Sequence, residues 1–285
     1  MPSSWPQKLQ ITVPAKVLPP LRDVIATHGL TAKKSLGQHF LLDMNLTRRI
    51  ALSAGDLSTG TVIEIGPGPG GLTRALLETG AAHVIAIERD DRAVAIAHEL
   101  AESYPGRLEV IPADALKIDL SQLGTAPRHI VANLPYNIST PLLLAWLGNI
   151  QAFAGITVML QKEVVDRLAA EADTPAYGRL SVIAQWLCDV RPLFNVDRKA
   201  FTPPPAVTST VVSLIPRAEP LAPARMEVLE KVTAAAFGQR RKMLRSSLKA
   251  LGDAESILKG VGIDPTRRAE TLTVKDFCAI ANILS

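Results

Sequence analysis

From about residue 61 the chain alternates short apolar runs with stretches of helical periodicity. The runs at 61–65, 83–88, 108–111, 129–132 and 156–161 predict strands. The segments at 72–79, 91–104 and 140–147, and one opening at Glu163, predict helices between and after them. Short strands alternating with helices imply βαβ units and a parallel sheet. The runs lack polar alternation, as expected of strands covered by helices on both faces.

The pattern then changes. Residues 180–188 read as a helix, and 190–196 and 207–215 as two strands with little helix between them, which predicts an antiparallel hairpin closing the sheet. A proline-rich, linker-like stretch follows at 216–223. Beyond it the periodicity is helical over 225–237, 241–251, 254–260 and 274–284. Three parts are expected. Residues 1–30 form an extension ending in a short helix near 21–28, 31–217 an α/β domain, and 218–285 a helical domain. No internal repeat is visible.

Composition narrows the class. A chain of 285 residues can bury a core without disulfides or metals. With 47% hydrophobic and 20% charged residues it is not a disordered, collagen-like or disulfide-scaffold protein. Two cysteines, Cys188 and Cys278, are too few for a four-cysteine zinc site, and no metal is expected. Their apolar surroundings read as reduced core positions, which fits a cytoplasmic protein. The net charge is only +4, so its placement matters more than its sum. No apolar run is long enough to span a membrane, and the N-terminus resembles neither a signal nor a transit peptide.

Four motifs carry chemistry. Glu64-Ile65-Gly66-Pro67-Gly68-Pro69-Gly70 runs from a strand through a glycine turn into a helix, and Gly66 and Gly68 let a ligand approach backbone amides. The spacing suits either S-adenosylmethionine or a dinucleotide. Glu64 favours the former, because an acid there repels a pyrophosphate and suits a cationic methionine end. Glu88, ending the second strand, can accept two ribose hydroxyls in either case. Asp114, after the third strand, can accept an adenine amino group.

The fourth motif, Asn133-Leu134-Pro135-Tyr136, follows the fourth strand at the carboxyl edge of the sheet, where ligands bind in open α/β folds. An adenine N6 amine is a poor nucleophile because its lone pair is delocalised into the ring. The Asn133 carboxamide oxygen and the Leu134 carbonyl could each accept one of its hydrogens and favour a pyramidal nitrogen. Tyr136 offers a ring for a flipped base, and Pro135 stiffens the loop.

Taken together these motifs resemble the ribosomal RNA adenine-N6 dimethyltransferase family, most closely its bacterial small-subunit, kasugamycin-resistance type. The resemblance runs from about residue 30 onward. Lys33-Lys34-Ser35-Leu36-Gly37-Gln38-His39-Phe40-Leu41 is similar to the family's opening motif, with His39 where many members carry Asn. The resemblance implies S-adenosylmethionine contacts at His39, Leu41, Glu64, Gly66, Glu88, Asp114 and Asn133. It also implies that Phe201, in Phe201-Thr202-Pro203-Pro204-Pro205, stacks on the flipped adenine opposite Tyr136. The implied fold is a Rossmann-like class I methyltransferase domain with a small C-terminal all-helical domain. The implied reaction is dimethylation of two adjacent adenines near the 3′ end of small-subunit (16S) rRNA in an assembling 30S particle. A large-subunit (23S) methyltransferase of the antibiotic-resistance type and a non-enzymatic assembly factor are the alternatives. An NAD oxidoreductase lacks a suitable catalytic pair.

Residues 237–249 carry five positive charges and no acid. On the expected helix over 241–251, Arg241 and Arg245 share a face, with Lys242 and Lys249 on a neighbouring stripe. With Arg240, Lys33 and Lys34 they are candidate phosphate contacts. Nothing in the sequence points beyond a monomer.

Overall fold

The computed structural model describes residues 16–33 and 36–285. They form two compact units, one of residues up to Lys162 with Leu193–Ser213, the other of Glu163–Pro192 with Leu214–Ser285.

The first unit opens with α1 (Leu21–Thr27), β1 (Phe40–Leu41) and α2 (Met44–Ser53). Then β2 (Thr61–Ile65), α3 (Gly71–Glu78), β3 (Val84–Glu88), α4 (Asp91–Glu102) and β4 (Leu108–Pro112) alternate. They are followed by β5 (Arg128–Asn133), α5 (Tyr136–Gly148) and β6 (Gly155–Gln161). Strands β2 and β3 are buried along their whole length, which explains why they are apolar apart from Thr61, Glu64 and Glu88. Helix α4 buries Ala93, Ile96, Ala97 and Leu100, one face at helical spacing, and starts where the Asp90 carboxylate accepts the Arg92 amide.

Helices α6 (Lys162–Leu168) and α7 (Arg179–Leu187) come next, then β7 (Cys188–Val196), β8 (Phe201–Thr202) and β9 (Ser209–Pro216). The main sheet runs in the order β4-β3-β2-β5-β6-β9-β7, and its pairs from β4 to β6 are parallel. In the register of the central strands Ile63 faces Ile85 on one side and Ile130 on the other. Strands β7 and β9 are neighbours, as expected of consecutive strands, and β9 is the inner one. Both rims of the sheet carry a proline, Pro112 in β4 and Pro192 in β7. Proline cannot donate a ladder hydrogen bond and is tolerated at edges.

The second unit is helical, with α8 (Met226–Gly238), α9 (Leu244–Ser247), α10 (Ala254–Gly260) and α11 (Val274–Ile283) beside α6 and α7. Its core brings Tyr177, Phe237 and Phe277 together, Tyr177 meeting Phe237 edge-on at 5.9 Å between ring centroids and Phe237 lying tilted against Phe277 at 5.4 Å. Phe277 is fully buried, and truncating such a ring costs about 3–5 kcal/mol. Helix α11 begins with a reciprocal cap between Thr273 and Asp276. The two cysteines are free and buried.

The expected helix over 241–251 is not continuous. Only Leu244–Ser247 is α-helical, followed by a 3₁₀ turn at Lys249–Leu251. Helix α8 ends at Gly238, and the Lys242 amide closes a turn on the Gln239 carbonyl. Met243 is extended and bridged to Arg268, while the Leu244 amide donates to the Arg267 carbonyl. These pairings hold the backbone out of a helix, so no helical face unites Arg241, Lys242, Arg245 and Lys249.

Candidate active site

The carboxyl ends of β2, β3 and β5 and the loop after β4 line a cleft of about 990 Å³ including its open mouth. The turn from β2 to α3 puts Gly66 and Gly68 at φ +68° and +54°, a left-handed conformation that costs an L side chain roughly 1–2 kcal/mol. A Cβ on Gly68 would also come within 3.2 Å of the Phe40 ring. The glycines let this turn fit beneath the opening motif.

Three carboxylates stand around the cleft. Glu64 is only 1% exposed, and its Oε2 has no hydrogen-bond partner among the described residues. Burial pushes its pKa up to about 8, with the nearby Glu88 carboxylate adding to the rise and the Thr73 hydroxyl opposing it. Glu88 Oε1 accepts the amides of Arg89 and Asp90 at 2.8 and 2.9 Å, and its Oε2 accepts from Gly68 at 3.4 Å. Burial raises the Glu88 pKa, and these amides hold it back. Asp114 accepts the Leu116 amide at 3.1 Å and lies 3.5 Å from the Arg89 guanidinium.

The Asn133-Leu134-Pro135-Tyr136 segment leads from β5 into α5 at the same cleft. Asn133 Nδ2 donates to the His39 carbonyl at 3.1 Å. A carbonyl only accepts, so this bond fixes the amide orientation and leaves Oδ1 as the acceptor. The Tyr136 hydroxyl shares a 2.6 Å hydrogen bond with Ser209 Oγ, and burial raises its pKa. The His39 ring lies 5.5 Å from the Tyr136 ring, and its Nδ1 lies 2.8 Å from the Pro203 carbonyl.

The residues singled out as His39, Leu41, Glu64, Gly66, Gly68, Glu88, Asp114 and Asn133 to Tyr136 all line this one cleft. Phe201 does not. It is 2% exposed, packs in the core with Ile50 and Val211, and pairs with Leu41 across β8 and β1. Its ring meets the His39 ring edge-on at 6.5 Å, so in this structure His39, not Phe201, is the ring beside Tyr136.

Two residues of this region went unread in the sequence. Gln38 donates to Asp90 at 3.1 Å and accepts from the Lys33 amide, pinning the opening motif to the start of α4. Ser209, a lone serine opening a strand, carries no sequence signal. Lys34 lies outside the described residues, and Lys33 is exposed, 3.9 Å from Asp90.

In the helical unit Arg241, Lys242, Arg245 and Lys249 are exposed. Arg240 is otherwise engaged. It lies 3.2 Å from Glu270 and donates to the Thr174 carbonyl, which makes it an internal clamp. Among the described residues no group of three or more His, Cys, Asp or Glu could hold a metal ion.

The family model for ribosomal RNA adenine dimethylase matches residues 29–285. The chain belongs to this family. Relatives among the dimethylases are close. The chain is 72% identical over 267 residues to the ribosomal RNA small subunit methyltransferase A of Paramagnetospirillum magneticum, covering 94% of this chain and 95% of that one. It is 64% identical to the protein of the same name from Rhodospirillum rubrum, covering 98% and 96%. Among solved structures it is similar to a dimethyladenosine transferase from Plasmodium falciparum, with TM-score 0.75, 26% identity, and 85% and 96% of the two chains covered. It is also similar to the 23S rRNA methyltransferase ErmE, with TM-score 0.65, 28% identity, and 86% and 99% covered. The fold is thus the Rossmann-like class I methyltransferase fold, and the protein is an rRNA adenine dimethyltransferase.

Proposed function

We propose that the chain uses S-adenosylmethionine to dimethylate the N6 amines of two adjacent adenines near the 3′ end of 16S rRNA. It does so as a monomer, on an assembling 30S particle in the cytoplasm. The small-subunit relatives support the substrate. The observation that carries the chemistry is the Asn133 amide, anchored on His39 so that Oδ1 is left to accept an amine hydrogen.

The cleft fits the cofactor. Glu64 presents a buried oxygen without a partner, suited to the cationic methionine end. Glu88, held by backbone amides, is placed for the ribose, and Asp114 for the adenine. The cofactor supplies a methyl group made electrophilic by its sulfonium. The protein's own work is to orient the target. Asn133 Oδ1 and the Leu134 carbonyl draw on the two N6 hydrogens and turn the lone pair out of conjugation. Tyr136, tethered by Ser209, gives the flipped base a fixed face. Leu41 walls the cofactor, and Lys33, Arg241, Lys242, Arg245 and Lys249 track phosphates. The α/β part over 31–217 carries the reaction and the helices from 218 hold the RNA.

Labelled S-adenosylmethionine and 30S particles from a methylation-deficient strain provide the test. Dimethyladenosine in digested 16S rRNA is the expected product, and absence of label overturns the reading. The likeness to ErmE makes large-subunit particles the necessary second arm, since label there alone identifies a 23S enzyme.

A further inference from the structure

Methylating a neutral amine releases one proton for each methyl transferred. The Asn133 carboxamide and the Leu134 carbonyl are amides, too weakly basic to hold it. We propose that His39 is a further catalytic residue, whose Nε2 accepts the proton lost by the target amine. The proposal rests on the adenine-N6 reading above.

The hydrogen bonding of His39 prepares it for this role. Its Nδ1 lies 2.8 Å from the Pro203 carbonyl, which has only lone pairs to offer. Nδ1 therefore carries the hydrogen, and in the neutral ring Nε2 carries the lone pair. A base ring whose far nitrogen is oriented by an acceptor is the usual arrangement of a general-base histidine. The Pro203 carbonyl also stabilises the imidazolium once Nε2 is protonated.

Its position is equally specific. His39 lines the cleft, its carbonyl anchors the amide of Asn133, and its ring lies 5.5 Å from that of Tyr136. An adenine on Tyr136 with its amine at Asn133 is bounded by this ring. Among the described residues, His39 is hydrogen-bonded or ring-paired from the other elements to Asn133 of β5 (through the His39 main-chain carbonyl), Tyr136 of α5, Phe201 of β8 and Pro203. Of these only Tyr136 titrates, and its hydroxyl is bonded to Ser209. Among the described residues the charged groups lining the cleft are Glu64, Glu88, Arg89 and Asp114. Glu88 and Asp114 already accept backbone hydrogen bonds, which leaves Glu64 as the rival base.

The step balances. The amine lone pair forms the N–C bond as the S–C bond breaks, and the S–C electron pair stays on sulfur. The nitrogen, now positively charged, passes one proton to Nε2 and keeps the N–H electron pair. The imidazolium returns the proton to solvent before the second methyl is transferred.

The test compares wild type, His39→Asn and His39→Ala in single-turnover transfer to 30S particles, with S-adenosylmethionine binding measured by calorimetry. Asn can offer an N–H where Nδ1 stands but has no basic nitrogen, so His39→Asn separates the proton role from the structural one. Transfer is read at S-adenosylmethionine concentrations that calorimetry shows to be saturating for each variant, so that a weakened cofactor contact at His39 does not enter the rate. Both variants are expected to lose at least about 10-fold, below the range of about 10²–10⁴ typical of general bases. Added imidazole should restore part of the rate in His39→Ala and none in Asn133→Ala. A His39→Asn enzyme at the wild-type rate, or a cofactor-binding His39→Ala enzyme indifferent to imidazole, overturns the proposal and points to Glu64 or water. If wild type itself transfers nothing, it is the dimethyltransferase reading that fails.

Discussion

Asn133 Nδ2 donates to the main-chain carbonyl of His39 across 94 residues of sequence. The bond ties the loop after β5 to the opening motif, so the group that meets the target amine is oriented by backbone. Replacing Asn133 by Asp puts an acceptor against an acceptor, whereas Ala removes both roles. Both variants should lose more than about 100-fold in single-turnover transfer, on the scale of deleting a preorganised polar group at the reacting atom. Cofactor affinity should fall much less in Asn133→Ala. Equal losses in the two measurements would place Asn133 in cofactor binding alone.

Glu64 makes stability depend on pH. Its folded-state pKa of about 8 lies above the ordinary 4.5, so the folded protein keeps a proton that the unfolded chain has lost. Stability contributed by this group therefore falls as pH rises from 4.5 to about 8, then levels off. The slope limit is about 1.4 kcal/mol per pH unit. Glu64→Gln should melt higher than wild type at pH 8 without ligand, and the gap should close towards pH 4.5. It should also bind S-adenosylmethionine more weakly. Parallel melting curves across this range would remove Glu64 from the account.

The Tyr136–Ser209 hydrogen bond can be cut from either end. Ser209→Ala and Tyr136→Phe should each weaken RNA binding by a few fold, in line with about 1 kcal/mol for such a bond. The double variant should be no worse than either single one, because both remove the same interaction. Filter binding of 30S particles reads this directly, and additive losses would show that the tether does not act as a unit.

The basic turn and the clamp beside it should separate in salt titrations. Arg241→Ala and Lys242→Ala should each lower the slope of log K against log salt by up to about 0.9, with little change in melting temperature. Arg240→Ala should do the reverse, since Arg240 holds Glu270 and Thr174 within the helical unit. A lower slope in Arg240→Ala would return that residue to the RNA surface.

Phe201→Ala should cost about 3–5 kcal/mol of stability, as expected of a phenylalanine removed from a core. Chemical denaturation measures it. A variant as stable as wild type would mean that Phe201 leaves the core readily.

Much of the architecture was legible because β2, β3 and β6 are buried strands of mainly apolar residues and β5 has a buried apolar centre at Ile130, Val131 and Ala132. The glycine turn, the acids ending or following strands, and Asn133 to Tyr136 were legible as well, because sheet topology gathers the ends of parallel strands. What escaped was non-local. Strands β1 and β8 are two residues each and exist only by pairing with one another. Helix α2 starts at the Asp43 cap and buries Thr47, Ile50 and Ala51 on one face, a short stripe begun by a polar residue. The broken helix after Gly238 follows from the bridge to Arg268, about thirty residues downstream, where helical propensity alone favoured continuity. For Phe201 the sequence is ambiguous, because a phenylalanine before a proline run looks the same whether it faces a ligand or a core, and the structure packs it in the core.

The prolines on the sheet's two rims bear on how the molecule meets others. An unprotected rim is a template on which a foreign strand can add, and the rim strands β4 and β7 each contain a residue, Pro112 and Pro192, with no backbone donor to offer one. Backbone recruitment at either margin is thereby discouraged. Encounters are left to the mouth of the cleft and to exposed side chains, where charge and shape can discriminate between partners.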